Sequence, residues 1–351
     1  MKAQLWNDNW KFWEDVDAFA LVWNVPENAR DITLPHDAML ERAPRSDSPN
    51  GNDTGFRDGG NYVYVKQFHA PEDYRDKVVS VKFEGVYMNA LVYLNGQLVG
   101  KRPYGYSPFV VPLNDYLNYG GDNELRVLVK NNGMPNSRWY SGSGIYRDVW
   151  LLEADPLHIV DNGVKVSTAY IEKDYAALDV SVTVKNRDFR SRSVQVVAEI
   201  CDEAGAVCAT TSFPLTMLGS TEETVSETVA LPSPKLWSAE TPNLYSCRVT
   251  LQEKEVAVDS AEATFGVRTL RLDSKRGLQV NGETVKLRGA CIHHDNGLLG
   301  AISCDEAELR RVRILKDAGF NAIRMAHNPA SSALLRACDK LGLYVMDEAF
   351  D

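Results

Sequence analysis

The chain has 351 residues, 44% hydrophobic and 25% charged, with 38 Lys and Arg against 48 Asp and Glu for a net charge of −10. At roughly 100–200 residues per domain, this length predicts two or three domains of ordinary globular composition. No stretch approaches the ~18 uninterrupted apolar residues of a membrane-spanning helix. The acidic balance argues against nucleic acid or an anionic membrane as partner and leaves a neutral sugar open. The opening MKAQLWNDNWKFWED lacks the apolar stretch of a signal peptide. As written, the chain therefore reads as cytoplasmic, or as secreted or periplasmic if a leader has been removed.

Residues 1–154 read as β structure. Alternating apolar and polar runs predict strands over 62–68, 78–83, 90–94 and 124–129. Asn95-Gly96 between two such runs predicts a tight hairpin. Many short strands cut by turns imply a sandwich or jelly roll. Trp6, Trp10 and Trp13 crowd its start. The Gly/Ser-rich loop 136–144 carries Arg138, Trp139 and Tyr140. Aromatic faces stack on sugar rings and Arg offers a planar donor fork, so this loop is a candidate sugar contact. The alternative is a loop whose aromatics anchor it to the next domain.

Residues 155–269 form a second β region, with strands expected over 180–186, 193–200, 224–231, 244–251 and 255–265. Their spacing suits a seven-strand sandwich, and without a Cys…Trp…Cys pattern only an immunoglobulin-like one is implied. The six cysteines (201, 208, 247, 291, 304 and 338) form no C-x-x-C pair and read as reduced and mostly buried thiols. Cys201 and Cys208 flank a hairpin turn at Asp202-Glu203-Ala204-Gly205 and could face each other. A disulfide there requires an oxidising compartment.

From residue 270 the pattern changes. A strand is expected over 285–292, then a helix with Ser303 as N-cap and Glu306 completing a capping box. Leu309, Val312 and Leu315 form its apolar face and Gly319 ends it. A strand over 320–325 follows. Ser331 or Ser332 caps a second helix bearing Leu334, Cys338 and Leu341, Gly342 ends it, and a third strand covers 343–346. This β-α-β-α-β order predicts a parallel sheet with right-handed crossovers. Three strands and two helices are a poor stopping point for such a sheet, so the rest of the domain is expected to be missing from this sequence. The third strand then forms an open edge that invites association, including homo-oligomers.

Polar groups gather after each of these strands: His293, His294 and Asp295; Arg324, His327 and Asn328; Asp347, Glu348 and Asp351. The carboxyl ends of parallel strands are where barrels and open α/β sheets place their sites. Arg324 and His327 do not suit a buried strand unless a partner or ligand satisfies them. For 293–295, a structural turn, a hydrogen-bonding rim and a metal site all stand open. Adjacent histidines on a strand end point to opposite sides, however, so both seldom bind one ion.

The segment Asn321-Ala-Ile-Arg324-Met-Ala-His327-Asn328-Pro329, with Cys338-Asp339 through Met346-Asp347-Glu348, resembles the signature of glycoside hydrolase family 2, which includes β-galactosidases, β-glucuronidases and β-mannosidases. Further matches run in order. Leu34-Pro35-His36-Asp37, Phe83-Glu84-Gly85, Leu94-Asn95-Gly96 and Gly144-Ile145-Tyr146-Arg147-Asp148 resemble its jelly roll. Leu236-Trp237-Ser238, Pro242-Asn243-Leu244-Tyr245 and Phe265-Gly266-Val267-Arg268 resemble its Ig-like domain, and Arg288-Gly289 through His293-His294-Asp295 resembles its first barrel strand. The wording around 291–297 and 137–144 is most similar to the β-galactosidase type.

The resemblance implies a multidomain fold: an all-β jelly-roll sandwich over 1–154, an Ig-like β-sandwich over 155–269, and the incomplete start of a (β/α)8 TIM barrel over 270–351. It implies retaining hydrolysis of terminal β-glycosides, of β-galactosides in particular, by two carboxylates about 5–5.5 Å apart. The family's acid/base is the Glu of an Asn-Glu pair, and its nucleophile is a later Glu. Asn123-Glu124 lies in the jelly roll and is a coincidence, and adjacent Asp347 and Glu348 cannot flank one glycosidic bond. No catalytic residue is therefore assigned within 1–351. His327 and Arg324 match pocket positions, and Arg138 reaches in from the jelly roll. His294, Asn328 and Glu348 are read as further substrate contacts. No cofactor or metal ligand is assigned in this chain, and a divalent cation in the full-length enzyme stays open. Two rival readings remain: a non-catalytic carbohydrate-binding protein using Trp139 and Arg138, and a metal-dependent hydrolase using His293, His294 and His327. The expected outcome for the purified 351-residue chain is no turnover of a chromogenic galactoside, measured by release of the chromophore.

Overall fold

The computed structural model describes residues 1–14, 24–133 and 136–350. Asp351, named above, lies outside the described residues. The first β region packs a four-stranded sheet (Lys2–Leu5, Val149–Ala154, Val78–Phe83, Phe109–Pro112) on a six-stranded one (Arg30–Ile32, Trp10–Glu14, Asn61–Ala70, Gly121–Lys130, Ala90–Leu94, Gln97–Arg102). Trp10, Tyr64, Phe83, Leu94, Leu125 and Ile145 fill the space between them. Each such side chain contributes roughly 1.5–3 kcal/mol when fully buried. The N-terminal tryptophans are core, Trp6 meeting Trp10 edge-on at 6.2 Å. Asn95 and Gly96 adopt φ values of 49° and 85°, the doubly positive turn that matches strand twist, and join Ala90–Leu94 to Gln97–Arg102.

The second region is a seven-stranded sandwich. Leu157–Ile171, Tyr175–Asn186 and Thr221–Pro232 form one sheet, and Val207–Met217, Arg192–Cys201, Tyr245–Glu253 and Val256–Phe265 form the other. Strict alternation buries Val180, Val182 and Val184 against Val196, Val249 and Leu251. Cys201 and Cys208 flank the expected hairpin, but both are free thiols. Cys201 is buried and Cys208 half-buried.

The third region begins with a small meander, Leu270–Asp273, Gly277–Val280 and Glu283–Thr284. Here the sequence reading needs correction, because the first barrel strand is only Gly289–Ile292. Glu283 and Thr284 pair back onto Gln279 and Val280, and Arg288 instead accepts the Asn321 and Ala322 amides. Parallel pairing follows, Gly289 opposite Ala322 and Ala322 opposite Tyr344, among Gly289–Ile292, Ala322–Met325 and Tyr344–Asp347. The helices Asp305–Asp317 and Ser332–Leu341 cover one face through Val312, Leu334, Ala337 and Cys338. The opposite face opens on an apolar cleft of about 460 Å³ lined by Leu270, Leu287, Cys291, Ile323 and Met346.

The two helix starts differ. Ser331 accepts the Leu334 amide at 3.1 Å, a true cap. Ser303 does not cap the first helix. Its hydroxyl donates to the buried Glu308 at 2.9 Å, and Cys304 occupies the capping position without a side-chain bond.

The jelly roll is tied to the barrel segment by Asp37, which is 2% exposed. One of its oxygens accepts the Met39 and Ser143 amides, both at 3.0 Å. The other accepts the Tyr140 hydroxyl at 2.8 Å and the Ala301 amide at 2.9 Å. Gly142 and Gly300 let the chain segments close around it. Both have positive φ (68° and 61°), and a Cβ on either would fall within 2.9 Å of the Asp37 Oδ2. On the other side, the Trp237 indole donates to the Asp339 carbonyl at 2.8 Å, and Lys316 donates to the Ala239 carbonyl at 2.5 Å. Asp37→Ala strands four donors at once. It should lower stability by about 3 kcal/mol or more, read as an earlier urea midpoint.

Candidate functional site

The rim is built from the loop after each parallel strand. His293 and His294 follow Ile292 and project to opposite sides, as alternation requires. His294 turns into the jelly roll. Its Nε2–H donates to the Ser141 carbonyl at 2.9 Å, and its ring lies edge-on to Tyr106 at 5.0 Å and Tyr146 at 5.7 Å. Burial drives its pKa down to about 3, so the ring is neutral. The side chain is closed in by these contacts, so the structure places it in the seam beneath the rim rather than on it.

His293 stays on the rim. Trp139, from the jelly-roll loop, stacks flat on it at 5.2 Å and 13°. His327 packs against both, 5.2 Å from Trp139 and 5.6 Å from His293. The three rings form a continuous aromatic corner drawn from two domains. His293 Nδ1 has no hydrogen-bond partner among the described residues. From the first helix, Arg311 fixes the turn by donating to the carbonyls of His293 (3.0 Å) and Asp295 and to the Asn296 side chain at 3.0 Å.

Glu348 joins the second and third strand ends. One carboxylate oxygen accepts Arg324 Nε at 2.5 Å, and the other accepts His327 Nδ1 at 3.1 Å. With Nδ1–H committed to the carboxylate, His327 Nε2 is left for a ligand. The Ala326–His327 peptide is cis. Asp347 turns the other way, and its carboxylate accepts the Ala330 amide at 2.9 Å.

Asn328 is buried and accepts the Tyr104 hydroxyl at 2.7 Å. The same hydroxyl lies 2.7 Å from the Ala349 carbonyl. Arg147 adds a second jelly-roll brace, donating to Pro329 and Tyr106 carbonyls at 3.1 and 2.9 Å. Arg138 is exposed, with its guanidinium 5.9 Å from the Trp139 ring centre.

The structure thus brings Arg324, His327 and Glu348 together. It places Arg138 over Trp139 and holds His294 and Asn328 in the polar seam below. From sequence, His293 stands only in the open 293–295 cluster and in the rival metal reading, not among the assigned substrate contacts, and Tyr104 is not assigned to the site. Alternation shows that one of two adjacent histidines faces out, but not which. Tyr104, 224 residues from Asn328, carries no local signal. Among the described residues, no three His, Cys, Asp or Glu side chains converge as a metal cage.

Three models of one family match the chain in sequence order. The sugar binding domain of glycosyl hydrolases family 2 matches residues 50–155, a second family 2 domain matches 157–268, and its TIM barrel domain matches 272–350. The chain belongs to glycosyl hydrolases family 2. It is similar to β-galactosidase BoGH2A of Bacteroides ovatus, 38% identical over 92% of this chain and 38% of that protein. A putative β-glucuronidase of Formosa agariphila is 35% identical over 98% of this chain and 33% of its own length. A solved family 2 glycosyl hydrolase from Bacteroides cellulosilyticus superposes with a TM-score of 0.95 at 36% identity, over 100% of this chain and 46% of that one. The chain therefore spans less than half the length of each of these relatives.

The neutral His294 generates a pH signature. Its folded pKa lies far below the unfolded value of about 6.5, so the unfolded state binds the proton first. Stability from this group is complete above pH ~6.5 and falls by about 1.4 kcal/mol per unit as pH drops toward its folded pKa. Replacing it in His294→Gln keeps a donor for Ser141 and removes the titration. The variant should lose less stability than wild type between pH 6.5 and 5, measured by denaturant midpoints.

Proposed function

We propose that this chain supplies the sugar-holding part of a retaining β-glycosidase that acts on terminal β-galactosides. The observation that carries this is the Trp139–His293–His327 corner, buttressed by Glu348 and Arg324, at the carboxyl ends of three parallel strands. An indole face accepts the C–H face of a pyranose. His327 Nε2 offers a hydrogen bond to its hydroxyls. Such bonds count for catalysis to the extent that they tighten as the oxocarbenium-like transition state forms.

Charge favours a neutral hexose over a uronate. A sugar carboxylate needs a cation; Arg324 on this rim is already neutralised by Glu348 at 2.5 Å, and Arg138 beside Trp139 is solvent-exposed, where water and salt screen its charge. Retaining hydrolysis also needs two carboxylates about 5–5.5 Å apart. Asp347 and Glu348 are adjacent and turn to different sides, one to the Ala330 amide and the other to His327 and Arg324, so the two do not flank one glycosidic bond. In this reading the reacting pair comes from polypeptide other than residues 1–351.

Calorimetric titration with methyl β-galactoside and methyl β-glucuronide tests the reading. Galactoside should bind more tightly than glucuronide. His327→Ala and Trp139→Ala should each weaken it about ten-fold, the scale of one lost bond or stacking face. Preference for glucuronide, or indifference to both substitutions, overturns it.

A further inference from the structure

A second polar cleft lies at the opposite end of the parallel sheet from the rim. It occupies about 400 Å³ at the seam of the Ig-like sandwich and the barrel segment. Its walls include Ser167 and Thr168 from the first strand of the sandwich, Phe265 from its last strand, Arg268 from the connection, and Asp339 near the end of the second helix. Trp237 forms the floor and is itself buried.

The two charged side chains are anchored on this one indole. The Arg268 guanidinium lies over the Trp237 ring at 4.6 Å. The Trp237 N–H donates to the Asp339 main-chain carbonyl at 2.8 Å. Among the described residues, neither the guanidinium nor the Asp339 carboxylate has a hydrogen-bond or ion-pair partner. A donor fork and an acceptor thus line one opening with no direct bond between them; burial raises the pKa of the Asp339 carboxyl, and the nearby Arg268 charge partly offsets this. The Thr168 oxygen accepts the Arg268 amide at 3.3 Å, which leaves its own proton to donate.

This charge pattern selects the ligand. A phosphate or a uronate would meet Asp339, and an amine would meet Arg268. A neutral vicinal diol satisfies both, one hydroxyl accepting from the guanidinium and its neighbour donating to the carboxylate. Phe265 and Val166 supply the apolar side that a sugar ring also needs. The cleft is of the size that takes one small ligand. We propose that it is a second carbohydrate site, separate from the rim, that takes a single neutral pyranose. This inference stands apart from the reading of the rim.

The test is an NMR titration of isotope-labelled chain with methyl β-galactoside, methyl β-glucoside and methyl β-mannoside, with methyl β-glucuronide as the charged comparison. At least one neutral glycoside should give saturable amide shifts at Ser167, Thr168 and Gly266. Asp339→Asn, a conservative change at an exposed position, should weaken that binding about five-fold or more and leave shifts at Ser141 and Gly142 unaltered. Arg268→Gln should weaken it also, and Asp339→Asn guards against the chance that losing the indole stack loosens the seam. The proposal is overturned if no neutral glycoside gives saturable shifts at the seam, if Asp339→Asn binds like wild type, or if the glucuronide binds as tightly as the neutral sugars. Reporters at the two places are distinct, so failure at the rim leaves the seam result standing, and the reverse.

Discussion

A single buried carboxylate organises the upper half of this molecule. Asp37 takes hydrogen bonds from its own turn, from both ends of the 140–143 loop and from Ala301 of the barrel segment. A desolvated carboxylate without such donors costs several kcal/mol, so the arrangement is close to all-or-none. Because Asp37 pins Tyr140 and Ser143, it fixes the residues on either side. Trp139 is thereby aimed at the barrel strands, and the Ser141 carbonyl is set where His294 can donate to it. The rim is a consequence of this knot as much as of the strands that bear its histidines.

Glu348 plays the matching part within the barrel segment. The second strand and its turn carry a cation and a polar ring that a parallel sheet would otherwise exclude, and one carboxylate from the third strand end satisfies both. Its loop is held from outside by Tyr104, so the jelly roll again reaches across to set the position of a barrel side chain. Arg311 and Arg147 act similarly from below and from the side. The rim is thus braced by polar bonds from neighbouring elements, and it rests on an apolar helix–sheet core that ends at Met325 and Leu343.

Much of this was legible in the sequence because it is locally encoded. Asn95-Gly96 can adopt the positive φ pair its hairpin needs, Ser331 has its donor, the Leu334 amide, within one turn, and Gly342 reaches the left-handed conformation that closes the second helix. The misreadings share a cause. Ser303 had a local partner in reach but found the buried Glu308, and residues 285–288 had strand composition but no free ladder to join. His293 and His294 were likewise indistinguishable until the jelly roll supplied Ser141, Tyr106 and Tyr146 for one of them. In each case a competing contact won, from a few residues away for Ser303 and 285–288 and from another domain for the histidines, and periodicity and spacing do not rank such competitors.

The reach of the Asp37 knot also sets a clock for biosynthesis. The last donor to Asp37 is the amide of Ala301, 264 residues downstream. At roughly 5–20 residues per second, a ribosome takes about 13–53 s to cover that distance. Once residue 143 has also emerged, the nascent jelly roll can hold the carboxylate with its Met39, Tyr140 and Ser143 donors in place and one seat empty. The aromatic corner waits longer still, for His327. An assembled rim therefore marks a chain whose jelly roll and barrel segment have both emerged and docked.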